Sequence, residues 1–328
     1  MRKLLAGLAV VAGLLVAAFL AVRTPDIPAE VLRARYANAA SQFLDLAPGF
    51  AVHVRDEGPR DAPVLLLLHG SNASLHTWEP WVERLGQDYR VVTLDLQGHG
   101  LTGPIPSGCY TGSCMAETVE RVRARLGIER MAVGGNSMGG LVAIRYALAH
   151  PERVSALILV DSAGAQFRNG GSRPLGFRIA AMPGARTLAE QITPRAMIAR
   201  SLDQSTSVKA AATPEKVDRY WELLRHPGNR AATIARFAAP REPFGAETLK
   251  PLAGLPVLIL WGREDRLFPP EAAAWFKAAL PEAELVILDG VGHIPQEEAP
   301  DASAEAVRAF LERHAPTPAR IRALQSPA

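Results

Sequence analysis

An α/β chain with a mostly parallel sheet, covered by helices on both faces, is what the sequence predicts, and three observations predict it. Val64 to Leu68, Tyr89 to Leu94, Met131 to Val133, Ala156 to Val160, Val257 to Gly262 and Glu284 to Leu288 are short, nearly continuous apolar runs. Strands buried on both faces read this way, whereas half-exposed strands alternate. Helical stretches separate these runs, including one around Trp81 to Leu85 and another from Met115 to Leu126. Such spacers supply the crossovers that parallel strands need. The length of 328 residues and a hydrophobic content of 48% suffice for one large core or two modest ones.

Arg2 and Lys3 precede an unbroken apolar run from Leu4 to Val22, which Arg23 closes. As a helix at ~1.5 Å per residue it reaches ~28 Å, close to the ~30 Å hydrocarbon thickness of a bilayer. A secretory apolar region is shorter, roughly 7–15 residues, and the best small-residue cleavage candidate, Val16-Ala17-Ala18, lies inside the run. The leading positive charges favour a cytoplasmic amino terminus. Residues 1–22 are therefore expected to be a signal-anchor transmembrane helix, with the rest of the chain on the extracytoplasmic (periplasmic or extracellular) side. Secretion after signal cleavage is the alternative. Residues 23–44, rich in Ala and Arg, are expected to be a juxtamembrane spacer with some helical character. Phe50 to Arg55 alternates as a half-exposed strand should.

Cysteine usage fits that placement. Only Cys109 and Cys114 occur, together in a Gly/Ser-rich loop, and such a pair suits a small disulfide in an oxidising compartment. The net charge of +3 is interspersed along the chain. No basic stripe with interleaved aromatics marks a nucleic-acid surface. No Cys/His/carboxylate cluster at metal-ligand spacing and no Gly-x-Gly-x-x-Gly opening a helix are present, so neither metal nor cofactor is implied.

Chemistry concentrates at Gly135-Asn136-Ser137-Met138-Gly139-Gly140, between an apolar run and a helical pattern. A strand, a serine flanked by small residues and a helix make a nucleophile elbow, with the serine strained and exposed above the sheet edge. A serine hydroxyl needs a base, and the base an orienting group. Downstream, the run ending in Trp261-Gly262 opens into a loop carrying Asp265. The run ending in Leu288 leads to Gly292-His293. Both lie just past strand ends, where open α/β sheets place their sites. Glu264 and Asp161 are the competing acids, and His293 is one of eight histidines.

These motifs, with Leu68-His69-Gly70-Ser71 and Gly98-His99-Gly100 upstream, make the chain resemble the α/β-hydrolase fold superfamily. The likeness is to the single-cap branch of esterases, meta-cleavage-product hydrolases and proline iminopeptidases, and covers roughly Asp45 to His314. It implies Ser137 as nucleophile, Asp265 as orienting acid and His293 as general base. The oxyanion-hole amides it implies are Met138 and Ser71, with Asn72 as the fallback. His69 and His99 take bracing roles. The alternation of strands and helices stops between Asp161 and about Gly245, where the resembling enzymes insert a helical cap. The expected organisation is then a core in two parts, 45–164 and 246–314, a cap at 165–245 and a flexible tail at 315–328. Phe167, Phe177, Met182, Met197, Tyr220, Trp221 and Phe237 are the cap's candidates for a substrate wall.

The implied activity is hydrolysis of an ester or related acyl bond on a small molecule, through an acyl-enzyme. Carbon–carbon hydrolysis of meta-cleavage products competes, because the Gly-Asn-Ser-Met-Gly-Gly elbow is typical of that subgroup. The sequence departs from it at Ile294-Pro295-Gln296, where those enzymes carry Trp soon after the histidine. Acyl transfer uses the same intermediate. A non-catalytic binding protein on the same fold is the alternative from another class.

Overall fold

A computed structural model describes residues 2–166, 190–239 and 243–314. Its centre is an eight-stranded sheet in the order β1-β2-β4-β3-β5-β6-β7-β8. The strands are β1 (Ser41–Ala47), β2 (Phe50–Glu57), β3 (Val64–Leu68), β4 (Arg90–Leu94), β5 (Met131–Asn136), β6 (Val154–Val160), β7 (Val257–Gly262) and β8 (Glu284–Leu288). From β4 through β3 to β8 every pairing is parallel, while β1 and β2 add an antiparallel edge.

The period of two explains why the apolar runs are continuous. Leu66 and Leu68 pack in a cluster with Met115, Val119, Ile144 and Phe276. Leu65 and Leu67, pointing the other way, pack with Trp78, Trp81, Val307 and Phe310. Helices α4 (Gly112–Arg125), α5 (Met138–Ala149) and α10 (Pro270–Ala279) therefore cover one face. Helices α3 (Glu79–Leu85) and α12 (Pro300–His314) cover the other. Each fully buried Leu contributes ~1.5–3 kcal/mol, and truncating one to Ala costs ~2–5 kcal/mol.

β2 differs from its expected half-exposure, being buried along nearly its whole length. Its polar residues are spent inside: His53 bonds Asp95, and Arg55 pairs with Glu79 and donates to the Tyr36 carbonyl. The alternation in its sequence thus marks a polar face with internal partners rather than water.

The N-terminal helix α1 (Arg2–Val22) is apolar, and its stretch Leu5–Val22 is entirely unburied, long enough to cross a membrane. Beyond it, residues 23–44 are more than a spacer with some helical character. The sheet already begins at Ser41, and α2 (Ala29–Tyr36) forms between. The Thr24 N–H donates to the Gln191 carbonyl (2.9 Å) and the Ile27 N–H to that of Arg225 (2.9 Å). Arg230 bonds the Thr24 carbonyl and Asp26 (both 2.6 Å), and Tyr36 bonds Glu222 (2.8 Å). Leu32 is buried against Leu101 and Leu223. Residues 24–36 therefore form a strap laced onto the insertion that follows β6.

Within that insertion the described helices are α6 (Arg195–Ser205), α7 (Pro214–Leu224) and α8 (Asn229–Ala238); α9 (Ala246–Leu249) leads back to the sheet. Phe167, Phe177, Met182 and the tail 315–328 lie outside the described residues. Cys109 and Cys114 form a disulfide just before and within the first turn of α4.

Candidate active site

β5 runs into α5 with a single residue, Ser137, making the turn. Its φ of 54° and ψ of −117° lie where L-residues rarely go, at a cost of order 1–3 kcal/mol. Two close approaches demand glycine around it. A Cβ on Gly135 would overlap the Gly139 carbonyl, and one on Gly139 would overlap that of Leu68. The elbow is pinned from β6: the Ser137 N–H donates to the Val160 carbonyl (3.0 Å), and the Ala163 N–H donates to that of Ser137 (2.9 Å).

The loop after β3 lies directly against this turn, since a Cβ on Gly70 would stand 3.3 Å from that of Ser137. His69 braces it. Its Nδ1–H donates to the Gly70 carbonyl (2.7 Å), while Nε2 accepts from the Leu96 N–H (3.0 Å). Those two bonds fix the tautomer, and burial holds the imidazole pKa below its ordinary value. The Ser71, Asn72 and Met138 amides meet no acceptor among the described residues. They remain available to a ligand oxygen.

His293 stands on the loop after β8 with Nδ1 2.7 Å from Asp265 Oδ2. Asp265 Oδ1 accepts the Leu267 and Phe268 N–H groups (2.7 and 3.0 Å), and the Phe268 ring packs on the imidazole. With Nδ1–H donated to a carboxylate, Nε2 is left with a lone pair. The histidine is joined to the elbow by Asn136, whose Nδ2 donates to the His293 carbonyl (3.0 Å). Among the described residues the Ser137 hydroxyl has no hydrogen bond; catalytic contacts are often long before substrate binds. Ser137, His293 and Asp265 are 8%, 5% and 4% exposed, so chemistry here would run almost out of water.

Of the competing acids, Glu264 is exposed and accepts only the Gly290 N–H (3.3 Å). Asp161 lies far closer. It sits at the end of β6 with φ 42° and accepts the Gly262 N–H at Oδ1 (3.0 Å), while Oδ2 is buried and meets no hydrogen-bond donor among the described residues. Burial first, then the neighbouring Asp265, hold its carboxyl well above the usual range. Asp161, Asp265 and His293 offer oxygens and a nitrogen within 4.8 Å of one another. By residue type this is a metal-ligand set, but Asp265 has already given its oxygens to one imidazole and two amides. The cluster is built as a hydrogen-bonded acid–histidine pair.

Sequence reasoning passed over two residues that hold this loop. Glu298, buried on the short helix α11 (Pro295–Glu298), accepts the Gly292 and Ile294 N–H groups on either side of the histidine (3.0 and 3.2 Å). Its carboxylate also takes the Ser207 and Val208 N–H groups beyond α6 (2.7 and 3.0 Å), and the His293 N–H donates to the Ser205 carbonyl (2.8 Å). Only glycine fits at 292, where a Cβ would meet Glu298 and Ser205, each at 2.8 Å. In the sequence, Asn136 reads only as part of the elbow. The one available signal was a pair of acids, Glu297-Glu298, straight after the histidine loop. Among the expected wall residues, Met197 is exposed, Tyr220 is bonded to Glu297 (2.8 Å) and Trp221 to the Thr193 carbonyl (2.6 Å), while Phe237 is half-buried.

Comparison with known proteins agrees with this architecture. A family model described as alpha/beta hydrolase fold matches residues 63–300. A 2-hydroxy-6-oxononadienedioate/2-hydroxy-6-oxononatrienedioate hydrolase of a Pseudomonas species is 28% identical over 286 residues, covering 84% of this chain and 97% of the relative. Among solved structures, an esterase from Thermogutta terrifontis is 26% identical with a TM-score of 0.68, covering 81% of this chain and 94% of its own. A bacterial membrane phospholipase A is 26% identical with a TM-score of 0.66, and covers 95% of this chain and 99% of its own. By fold, site architecture and family match, the chain belongs to the alpha/beta hydrolase family and is a hydrolase.

Proposed function

We propose that this protein is a membrane-anchored serine hydrolase that cleaves carboxylic esters through an acyl-enzyme. The observation that carries the reading is the Asp265–His293 bond of 2.7 Å, held by Asn136 to a strained serine turn. In this reading Ser137 attacks the carbonyl while His293 Nε2 takes its proton. Asp265 keeps the imidazole in the right tautomer and steadies the imidazolium. The Met138 and Ser71 amides hold the tetrahedral oxyanion, each worth ~3 kcal/mol of barrier. His293 then returns the proton to the leaving alcohol, and water releases the acyl group by the same steps.

Similarity to an esterase and to a membrane phospholipase A supports ester chemistry. The likeness to the phospholipase reaches over 95% of the chain, against 84% for the dienedioate hydrolase. Carbon–carbon hydrolysis is the second reading, favoured by that relative and by the Gly-Asn-Ser-Met-Gly-Gly elbow. α1 is read as a signal-anchor with the hydrolase domain outside the cytoplasm. Its apolar length, the preceding Arg2 and Lys3, and the Cys109–Cys114 disulfide support this. Secretion after cleavage of α1 is the other outcome.

One experiment separates these readings. The protein is assayed against p-nitrophenyl esters of rising chain length and one 2-hydroxy-6-oxo-dienoate, with fluorophosphonate labelling alongside. Ester turnover and labelling that both vanish in Ser137→Ala are expected. Turnover of the dienoate alone transfers the assignment to carbon–carbon cleavage, and no labelling of the wild type defeats the nucleophile altogether.

A further inference from the structure

Among the described residues the three buried arginines come with carboxylates, whereas Arg236, half-buried with its Nε enclosed, does not. Arg55 pairs with Glu79 (2.9 Å), Arg123 with Glu120 (2.7 Å) and Arg230 with Asp26 (2.6 Å). Arg236, on α8, has no acid partner among the described residues. One NH2 donates to the Asn72 side-chain oxygen (3.1 Å), which also accepts the Thr233 hydroxyl (3.0 Å). The guanidinium lies over the Phe237 ring (4.4 Å), and its Nε is buried with no hydrogen-bond partner among the described residues. Burial brings its pKa down to about 9, and no carboxylate counters that fall. The group stays charged at neutral pH, and a desolvated charge without a counter-charge is costly.

The same place holds other unfilled polar groups. The Ser71 hydroxyl, next to Asn72, is buried and unpartnered, as is Nε2 of His99. Burial first, and then the Arg236 charge, hold the His69 and His99 imidazoles below their ordinary pKa. Asn72 itself is held at φ 60°. A strained asparagine thus presents its oxygen to the arginine, leaving Nε and the Ser71 hydroxyl free. Two donors, one of them cationic, flank Asn72, Arg236 through its bond to the Asn72 side chain and Ser71 as its chain neighbour on the loop after β3. That is the donor set a carboxylate or phosphate takes.

We propose that Arg236 and the Ser71 hydroxyl form a subsite for an anionic oxygen group of the substrate. The ester cleaved therefore carries a carboxylate or phosphate near its scissile carbonyl. This deepens the esterase reading and rests on Ser137 as nucleophile. The cation comes from the inserted helices and the hydroxyl from the loop after β3, two parts already joined through Asn72.

The test uses two substrate pairs that differ in charge: p-nitrophenyl butyrate against mono-p-nitrophenyl adipate, and monobutyrylglycerol against its phosphate ester. The full-length wild type is expected to prefer the charged member at least tenfold in kcat/KM in one pair. The pair that shows it distinguishes carboxylate from phosphate. Arg236→Met should lower that preference at least tenfold, mainly through KM, and Arg236→Lys should keep most of it. Each preference is a ratio within one preparation, so partial unfolding cancels. Wild-type preference for the neutral members of both pairs overturns the subsite, as does an unaltered ratio in Arg236→Met. Titrating Ser137→Ala with butyrylglycerol phosphate and monobutyrylglycerol, followed by tryptophan fluorescence, reads the subsite without turnover. Preferential binding of the phosphate there, with no wild-type ester turnover, would keep the subsite and remove the esterase reading.

Discussion

Two clusters in this molecule have the same three residue types and the same histidine–aspartate distance, yet they are built for opposite ends. At the sheet's antiparallel edge, His53 Nδ1 lies 2.7 Å from Asp95 Oδ2 and its Nε2 lies 2.8 Å from Ser41 Oγ. Towards the sheet's other edge, past the C-terminal ends of β7 and β8, His293 Nδ1 lies 2.7 Å from Asp265 Oδ2. Every valence of the first cluster is used. Asp95 also accepts the Leu75 and Leu101 N–H groups (2.7 and 2.8 Å), Ser41 accepts the Asn38 N–H (3.1 Å), and Phe43 stacks on the ring. Ser41 opens an ordinary strand. In the second cluster the serine sits on a strained turn, its hydroxyl unspent and the Ser71, Asn72 and Met138 amides without acceptors among the described residues. A satisfied network rigidifies, whereas a reactive one must keep capacity in reserve. Residue types and one distance do not distinguish them; unspent valence does.

The sharpest way to break this contrast is at the serines. Ser137→Ala should cost ~10⁶ in kcat on p-nitrophenyl butyrate, while Ser41→Ala should stay within a few-fold and keep its fluorophosphonate label. Comparable losses in both would erase the distinction. The acids come next. Asp265→Asn is expected to lower kcat by ~10⁴ through the wrong imidazole tautomer, and Asp161→Asn by far less. The reverse order would make Asp161 the orienting acid.

In the edge cluster, stability should change rather than rate. Burial alone would raise the Asp95 carboxyl, but His53, and beyond it His69 and His76, pull it below its ordinary value. The folded state therefore binds fewer protons there than the unfolded chain. Its stabilisation is complete above the unfolded value near ~4 and is lost as pH falls below that. Asp95→Asn should cost about 3–5 kcal/mol at pH 7 by urea unfolding and should flatten the loss of stability on acidification. An unchanged acid limb would refute the linkage. Smallest is Glu298→Gln, which puts an amide donor against backbone donors. About a tenfold fall in kcat is expected, and an unchanged kcat would leave Glu298 a structural residue alone.

Much of this was legible in the amino acids. Val64 to Leu68 and Glu284 to Leu288 read as strands because each is a short apolar run, and β3 and β8 have those bounds. Asp265 and His293 were legible because chain order and strand-end position are written locally. β1 was not, since Ser41 to Ala47 mixes polar and apolar residues and pairs on one side only. The strap was not, because its meaning lies in bonds to residues roughly two hundred positions away, such as Arg225 and Arg230. Glu298 and Arg236 failed for the same reason: a buried charge announces itself through its partners or its lack of them, and neither is a local pattern.

The strap also decides where the independently folding part of the chain starts. A secretable or soluble version cut at the first strand would leave Leu101 and Leu223 facing water where Leu32 now sits, and would strand Arg230 and Glu222 without Asp26 and Tyr36. A version cut at Arg23 keeps all of these contacts. Protease trimming of the intact protein should accordingly stop at the junction of α1 and the strap rather than run on to the sheet.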